Sequence, residues 1–113
     1  MMPKDFVDEF FELKQGLLNG YFHPIQQAAC GLLIASMGLQ ADQIDKLRRV
    51  LDQCLTDALY TVLLGLDGCG QIGHKQVDYR LSDELGNALA GSGSVSGQIE
   101  AAAYEAFHSH DRA

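Results

Sequence analysis

One apolar pattern constrains this chain more than any other: Ile44, Leu47, Leu51, Cys54, Leu55, Ala58, Leu59, Val62, Leu63 and Leu66 recur at steps of three and four from about Asp42 onward. Only an α-helix brings residues at that spacing onto one side. Asp45, Arg48, Asp52 and Gln53 fall off the stripe. The segment "LYTVLLGL" also suits a strand, through Tyr60, Thr61 and Val62, but the preceding residues carry the helical phase through it. A helix is therefore expected to about Leu64, with Gly65 and Gly68 supplying the left-handed geometry that ends helices.

A helix of that length in a chain of 113 residues leaves room for few other elements. Upstream, Pro3 suits a first helical position, and Phe6, Val7, Phe10, Leu13, Leu17 and Leu18 form an apolar face that closes at Asn19-Gly20. Pro24 opens a second predicted helix, with Ile25, Ala28, Ala29, Leu32, Leu33 and Met37 as its buried stripe and Gly38 as its stop. His23, just before that proline, reads as a residue of the inter-helix turn.

Beyond the glycines after Leu66 the period changes. Val77, Tyr79 and Leu81 alternate with Asp78, Arg80 and Ser82, as in a half-buried strand. Asp83 to Asn87 fit a hairpin loop with Gly86 at positive φ, and Ala88-Leu89-Ala90 return. "GSGSVSG", residues 91–97, reads as a connector to a last helix over Gln98 to His108, with Ile99, Ala102, Ala103, Tyr104, Ala106 and Phe107 inward or at the boundary. The expected class is α+β: three N-terminal helices, a β-hairpin and a C-terminal helix in one small domain over residues 1–113.

The stretch Gly68-Cys69-Gly70-Gln71-Ile72-Gly73 spells G-x-G-x-x-G, a pattern that can bring backbone close to a dinucleotide pyrophosphate. Its context argues otherwise. The fingerprint needs a strand before the glycines and a helix starting within them, whereas here a helix precedes and a strand follows. The phosphate-loop pattern fails as well, because His74 stands where that motif has lysine and Gln76 follows Lys75. The loop is read as a connector, and no cofactor is expected.

The remaining chemistry is sparse. Cys69, flanked by glycines and five residues from His74, is the candidate reactive thiol, with the histidine positioned in sequence to lower its pKa. Cys30 and Cys54 sit on helical stripes and read as core. His108, His110 and Asp111 place three potential ligands in four residues, but histidines at i and i+2 do not share a helix face, so no metal site is expected.

Fifteen acidic against eight basic side chains give a net charge of −7, which repels nucleic acid and anionic lipid. No apolar run approaches the ~20 residues of a membrane span. Met-Met-Pro-Lys-Asp turns acidic at once, unlike a secretory leader, and three widely spaced cysteines suit a reducing cytoplasm. The function expected on these grounds is a small protein-binding module, in its sharpest form an immunity-type neutralising partner of a basic protein. Asp5, Asp8, Glu9 and Glu12 on the first helix are its candidate interaction surface. The alternatives are a small enzyme or thiol-based redox sensor centred on Cys69 and His74, and a homodimer subunit pairing through the long third helix.

Overall fold

The computed structural model describes residues 1–25 and 28–109. The protein is α+β, with helices α1 (Pro3–Tyr21), α2 (Ala29–Ser36) and α3 (Ala41–Leu66), strands β1 (Leu81–Ser82) and β2 (Ala88–Ala90), and helix α4 (Gln98–His108). Two compact units divide the chain: Met1–Phe11 with Asp57–Ala113, and Glu12–Thr56. Helices α1 and α3 each contribute to both.

In the first unit, Val7 from α1, Leu63 from α3, Ala90 from β2 and Ile99, Ala103 and Ala106 from α4 form one buried cluster. Phe6, Phe10, Phe11, Tyr60, Leu81 and Phe107 pack around it. The aromatic rings meet in tilted and edge-on pairs, Phe6 with Phe10 at 5.1 Å and Phe11 with Phe107 at 5.6 Å between centroids, the arrangement their quadrupoles favour.

Helix α1 starts as its sequence suggests. Pro3 takes the first helical position, and the Asp5 carboxylate accepts a hydrogen bond from the Met2 amide at 2.9 Å, satisfying a backbone donor the helix leaves free. Helix α3 uses the same device, with Gln43 Oε1 accepting from the Gln40 amide at 2.8 Å. It runs two residues past the expected Leu64.

Its end is a Schellman motif. The Cys69 amide bonds the Leu64 carbonyl at 2.9 Å, the Gly68 amide bonds that of Gly65 at 3.1 Å, and Gly68 holds φ at +75°. Gly65 has another role from the one expected: it is helical and buried, and a Cβ there would collide with Ile72, which folds back onto the helix. The rest of the glycine pattern is unconstrained, since nothing lies near a Cβ built on Gly73 and only Leu64 Cβ, at 3.8 Å, near one on Gly70. The loop therefore connects a helix to a hairpin.

That hairpin is shorter than the alternation predicts. Only Leu81 and Ser82 pair, antiparallel with Ala90 and Ala88 across an irregular register, while Val77 and Tyr79 are exposed. The reason lies on the other strand. Gly91, at φ +84°, turns the chain after Ala90, and a Cβ on it would meet Tyr79 O and lie 2.8 Å from Arg80 Cα. Residues before Arg80 thus have no strand to pair with. Asp83 organises the loop: its Oδ1 accepts from the Leu85 and Asn87 amides at 3.0 and 2.9 Å, and Gly86 takes φ +86°. The Met1 amino group, 2.7 Å away, together with Asn87, holds the Asp83 carboxyl well below the usual carboxylate range.

Helix α4 has no side-chain cap of its own, because Gly97 at its start is left-handed, with φ +82°. Asp67 supplies one from the end of α3. Its Oδ1 accepts from the Gly97 amide at 3.2 Å and its Oδ2 from the Glu100 amide at 2.9 Å.

The second unit departs further from the apolar pattern. Lys14 is buried and Leu13 exposed, the reverse of the expected face. The ammonium group explains this, since Lys14 Nζ lies 2.8 Å from Asp52 Oδ1 and 3.1 Å from Thr56 Oγ1 on α3. Arg48, also off the α3 stripe, donates to Asn19 Oδ1 at 2.8 Å and covers the Phe22 ring, 5.5 Å from its centroid. Cys54, expected in the core, is exposed, as is Ala58 of the first unit, and Cys30 is half-buried. The second helix begins at Ala29 rather than Pro24, because the Ile25 amide donates to His23 Nδ1 at 3.0 Å in a turn and Ala28 is still extended.

Two sets of variants test this description by urea denaturation. Lys14→Ala should cost about 1–3 kcal/mol, because it removes a buried donor from two acceptors, and Asp52→Asn should also destabilise, because the Oδ1 facing Lys14 is buried although the side chain as a whole is half exposed. Asp67→Ala should cost about 1 kcal/mol, as for loss of a helix cap. Among the glycines, Gly91→Ala should destabilise clearly while Gly73→Ala stays within about 0.5 kcal/mol. Equal effects at the two glycines would contradict the close approach at Gly91.

Candidate functional site

Helix α2 has the sequence ACGLLIAS, with no polar side chain apart from its cysteine until Ser36. A helix of two turns that is apolar on every side cannot turn a polar face to water, whichever way it rotates. Only Gly31 of this helix is buried, with Cys30 and Ile34 partly covered. The stripe expected in the core is instead open to solvent: Ile25 is 71% exposed, Leu33 68%, Met37 59% and Leu32 55%. Gly38, at φ +62°, ends the segment as expected.

The surroundings of this face are as distinctive as its apolarity. Between Lys14 and Asp42 the chain carries no Asp, Glu, Lys or Arg. In a protein with fifteen acidic side chains this leaves the loops flanking α2 free of formal charge, His23 apart. A cluster of large apolar side chains in such a setting is the surface feature that most often marks an interaction site. Helix periodicity concealed it, because an apolar stripe reads as core whether or not a neighbour covers it. The charge-free interval was the available signal.

The acidic residues expected to form the interaction surface are placed differently. Asp5 accepts from the Met2 amide, and Asp8 pairs with Lys4 at 2.8 Å, so two of the four are engaged within α1 itself. Glu9 and Glu12 are exposed. Asp5, Asp8 and Glu9 belong to one unit and Glu12 to the other.

The thiol of Cys69 is exposed, with its Sγ 3.5 Å from the Asp67 carbonyl oxygen. A hydrogen bond to the Glu100 carboxylate, partial burial and the negative charges of Glu100 and Asp67 push its pKa up to about 11. The groups that set its reactivity are thus two carboxylates and not His74, which is exposed in the loop. Glu100 enters because Asp67 draws the first turn of α4 against the end of α3. Beside it, Tyr60 stacks edge-on against His108 with centroids 4.4 Å apart, and burial raises the Tyr60 pKa.

An open cleft of about 310 Å³ lies between the glycine loop and the hairpin, lined by Asp67, Asp78, Tyr79, Arg80, Ser92 and Ser96 among others. The Asp67 carboxylate within it is already committed to the α4 amides. Among the described residues no group of three or more His, Cys, Asp and Glu side chains could hold a metal ion. The pairing of His108 with His110 and Asp111 lies outside the described residues. No helix among them is long and apolar enough to cross a membrane. No family model, curated protein or solved structure matches the chain.

Alkylation of Cys69, followed by peptide mass spectrometry, measures its environment directly. Because the thiolate is the nucleophile and the pKa is raised, the rate at pH 8 should be far below that of a model thiol and should climb as pH rises toward 11. Glu100→Gln should speed the reaction at pH 8 by about tenfold or more, a pKa unit being a factor of ten in thiolate. An unchanged rate would mean that Glu100 does not hold the proton.

Proposed function

We propose that the protein acts by binding another polypeptide rather than by catalysis, and that it does so through the apolar surface of α2. The observation that carries this reading is the exposure of Ile25, Leu32, Leu33 and Met37 on and beside one short helix. Exposing four large apolar side chains together opposes folding and solubility unless a partner covers them. The net charge of −7 by itself suits a basic protein partner in a reducing cytoplasm, but the α2 surface lies in an interval without carboxylates and offers such a partner no charge to pair with.

The thiol-centred alternative lacks a comparable observation. The carboxylates of Glu100 and Asp67 raise the Cys69 pKa and so lower its thiolate fraction at neutral pH, the opposite of what an activated nucleophile needs.

Photo-crosslinking from position 37 in cells tests the proposal. A photoreactive residue replacing Met37 should form adducts with protein, whether another chain or a second copy, and Leu33→Glu in the same chain should reduce them several-fold. Absence of any protein adduct would overturn the reading.

A further inference from the structure

We infer that the occupant of the α2 face is the α2 face of a second copy of this chain, packed across a two-fold axis. The inference rests on the reading that α2 is the binding surface and adds the identity of the partner.

Charge decides among the occupants. A basic polypeptide would find its complement in carboxylates, and none stands between Lys14 and Asp42. An anionic membrane surface would need several Lys or Arg beside the apolar side chains; the interval itself has none, Arg48 of α3 alone reaching it at Asn19 and Phe22, and the whole chain at −7 is repelled by such a surface. What fits a charge-free apolar face is another charge-free apolar face. The chain presents one itself, and a second copy supplies it at the same concentration.

A two-fold contact also doubles the area that each exposed side chain contributes. Each of Ile25, Leu32, Leu33 and Met37 is more than half exposed, so each has on the order of 100 Å² to bury. Doubled across the axis, these four residues contribute on the order of 800 Å² toward the roughly 1,200 Å² at which specific interfaces begin. The exposed Ala28, Ala29 and Ala35 surround them and allow close approach of the two backbones. A residue near the axis meets its own counterpart, which makes the contact self-complementary.

The salt dependence follows from the same features. Two copies carrying −7 each repel at long range while their contact surfaces attract without charge. Screening removes only the repulsion, so association should strengthen with salt, whereas a complex held by opposite charges weakens.

Sedimentation velocity from ~1 to ~100 µM, at ~50 and ~500 mM sodium chloride, tests this. The expected result is a reversible monomer–dimer equilibrium, tighter at high salt, that shifts to monomer by at least tenfold in Kd for Leu33→Glu. Met37→Lys, beyond the helix end, should act in the same direction and provides a second variant if Leu33→Glu fails to fold by circular dichroism. Leu33→Cys, in a chain whose three native cysteines are replaced by serine, should form a disulfide-linked dimer on mild oxidation. A monomer throughout, with position 37 still crosslinking to a different protein, would overturn self-docking and leave the binding surface standing. A monomer with no crosslinked product would overturn both. A dimer that survives Leu33→Glu and Met37→Lys unchanged, or that loosens with salt, would place the contact elsewhere and overturn the inference.

Discussion

The carboxylate of Asp67 supplies what α4 cannot supply for itself. The left-handed Gly97 brings the chain into the helix without a capping side chain, leaving amides that would otherwise lack partners. Asp67, just beyond the last residue of α3, accepts two of them. One residue thereby closes a long excursion that contains the glycine loop, the hairpin and the connector. It also sets α4 so that Ile99, Ala103 and Ala106 reach the cluster formed with Val7, Leu63 and Ala90. The environment of Cys69 is a by-product of the same clamp, since the turn it pulls in carries Glu100.

The order of elements could be read from periodicity, because four helical patterns and one alternating pattern are local properties of a chain. Local readings failed wherever the outcome depended on a distant partner. Gly65 and Gly68 look alike in sequence, yet Gly68 is needed for its positive φ and Gly65 because Ile72 occupies the space of a side chain. Val77 and Tyr79 alternate as well as Leu81 does, but pairing depends on the strand opposite, which Gly91 turns away. Lys14 is buried against the rule for lysine because Asp52 and Thr56 stand across from it. Cys54 has the right helical phase for the core, but phase specifies a direction and not a neighbour.

The candidate site was hidden for the same reason. Ile25, Leu32, Leu33 and Met37 form one apolar set in the sequence and are expected in the core, but the structure leaves all four exposed. Whether such a set is covered within the chain is a matter of what packs there, and α2 is too short and too uniformly apolar to hide every side. On α1, Asp5 and Asp8 also start and brace the helix, while Glu9 and Glu12 are exposed. The charge-free apolar interval and the acidic residues of α1 lie on different segments, although α1 also exposes Leu13 beside Glu12.

The segment 71–80 is exposed at every residue, yet the chain is held on both sides of it. Before it, the Schellman turn and the Asp67 cap join α3 to α4. After it, β1 pairs with β2 and the Asp83 loop is tied to Met1. A single peptide bond cut within this stretch would therefore not release either piece: the two fragments share the core made by Val7, Leu63, Ala90 and the α4 residues. Residues 73–78, between Ile72 packed on Gly65 and Tyr79 beside Gly91, are therefore a natural seam, where a break or an insertion disturbs the least of the packing.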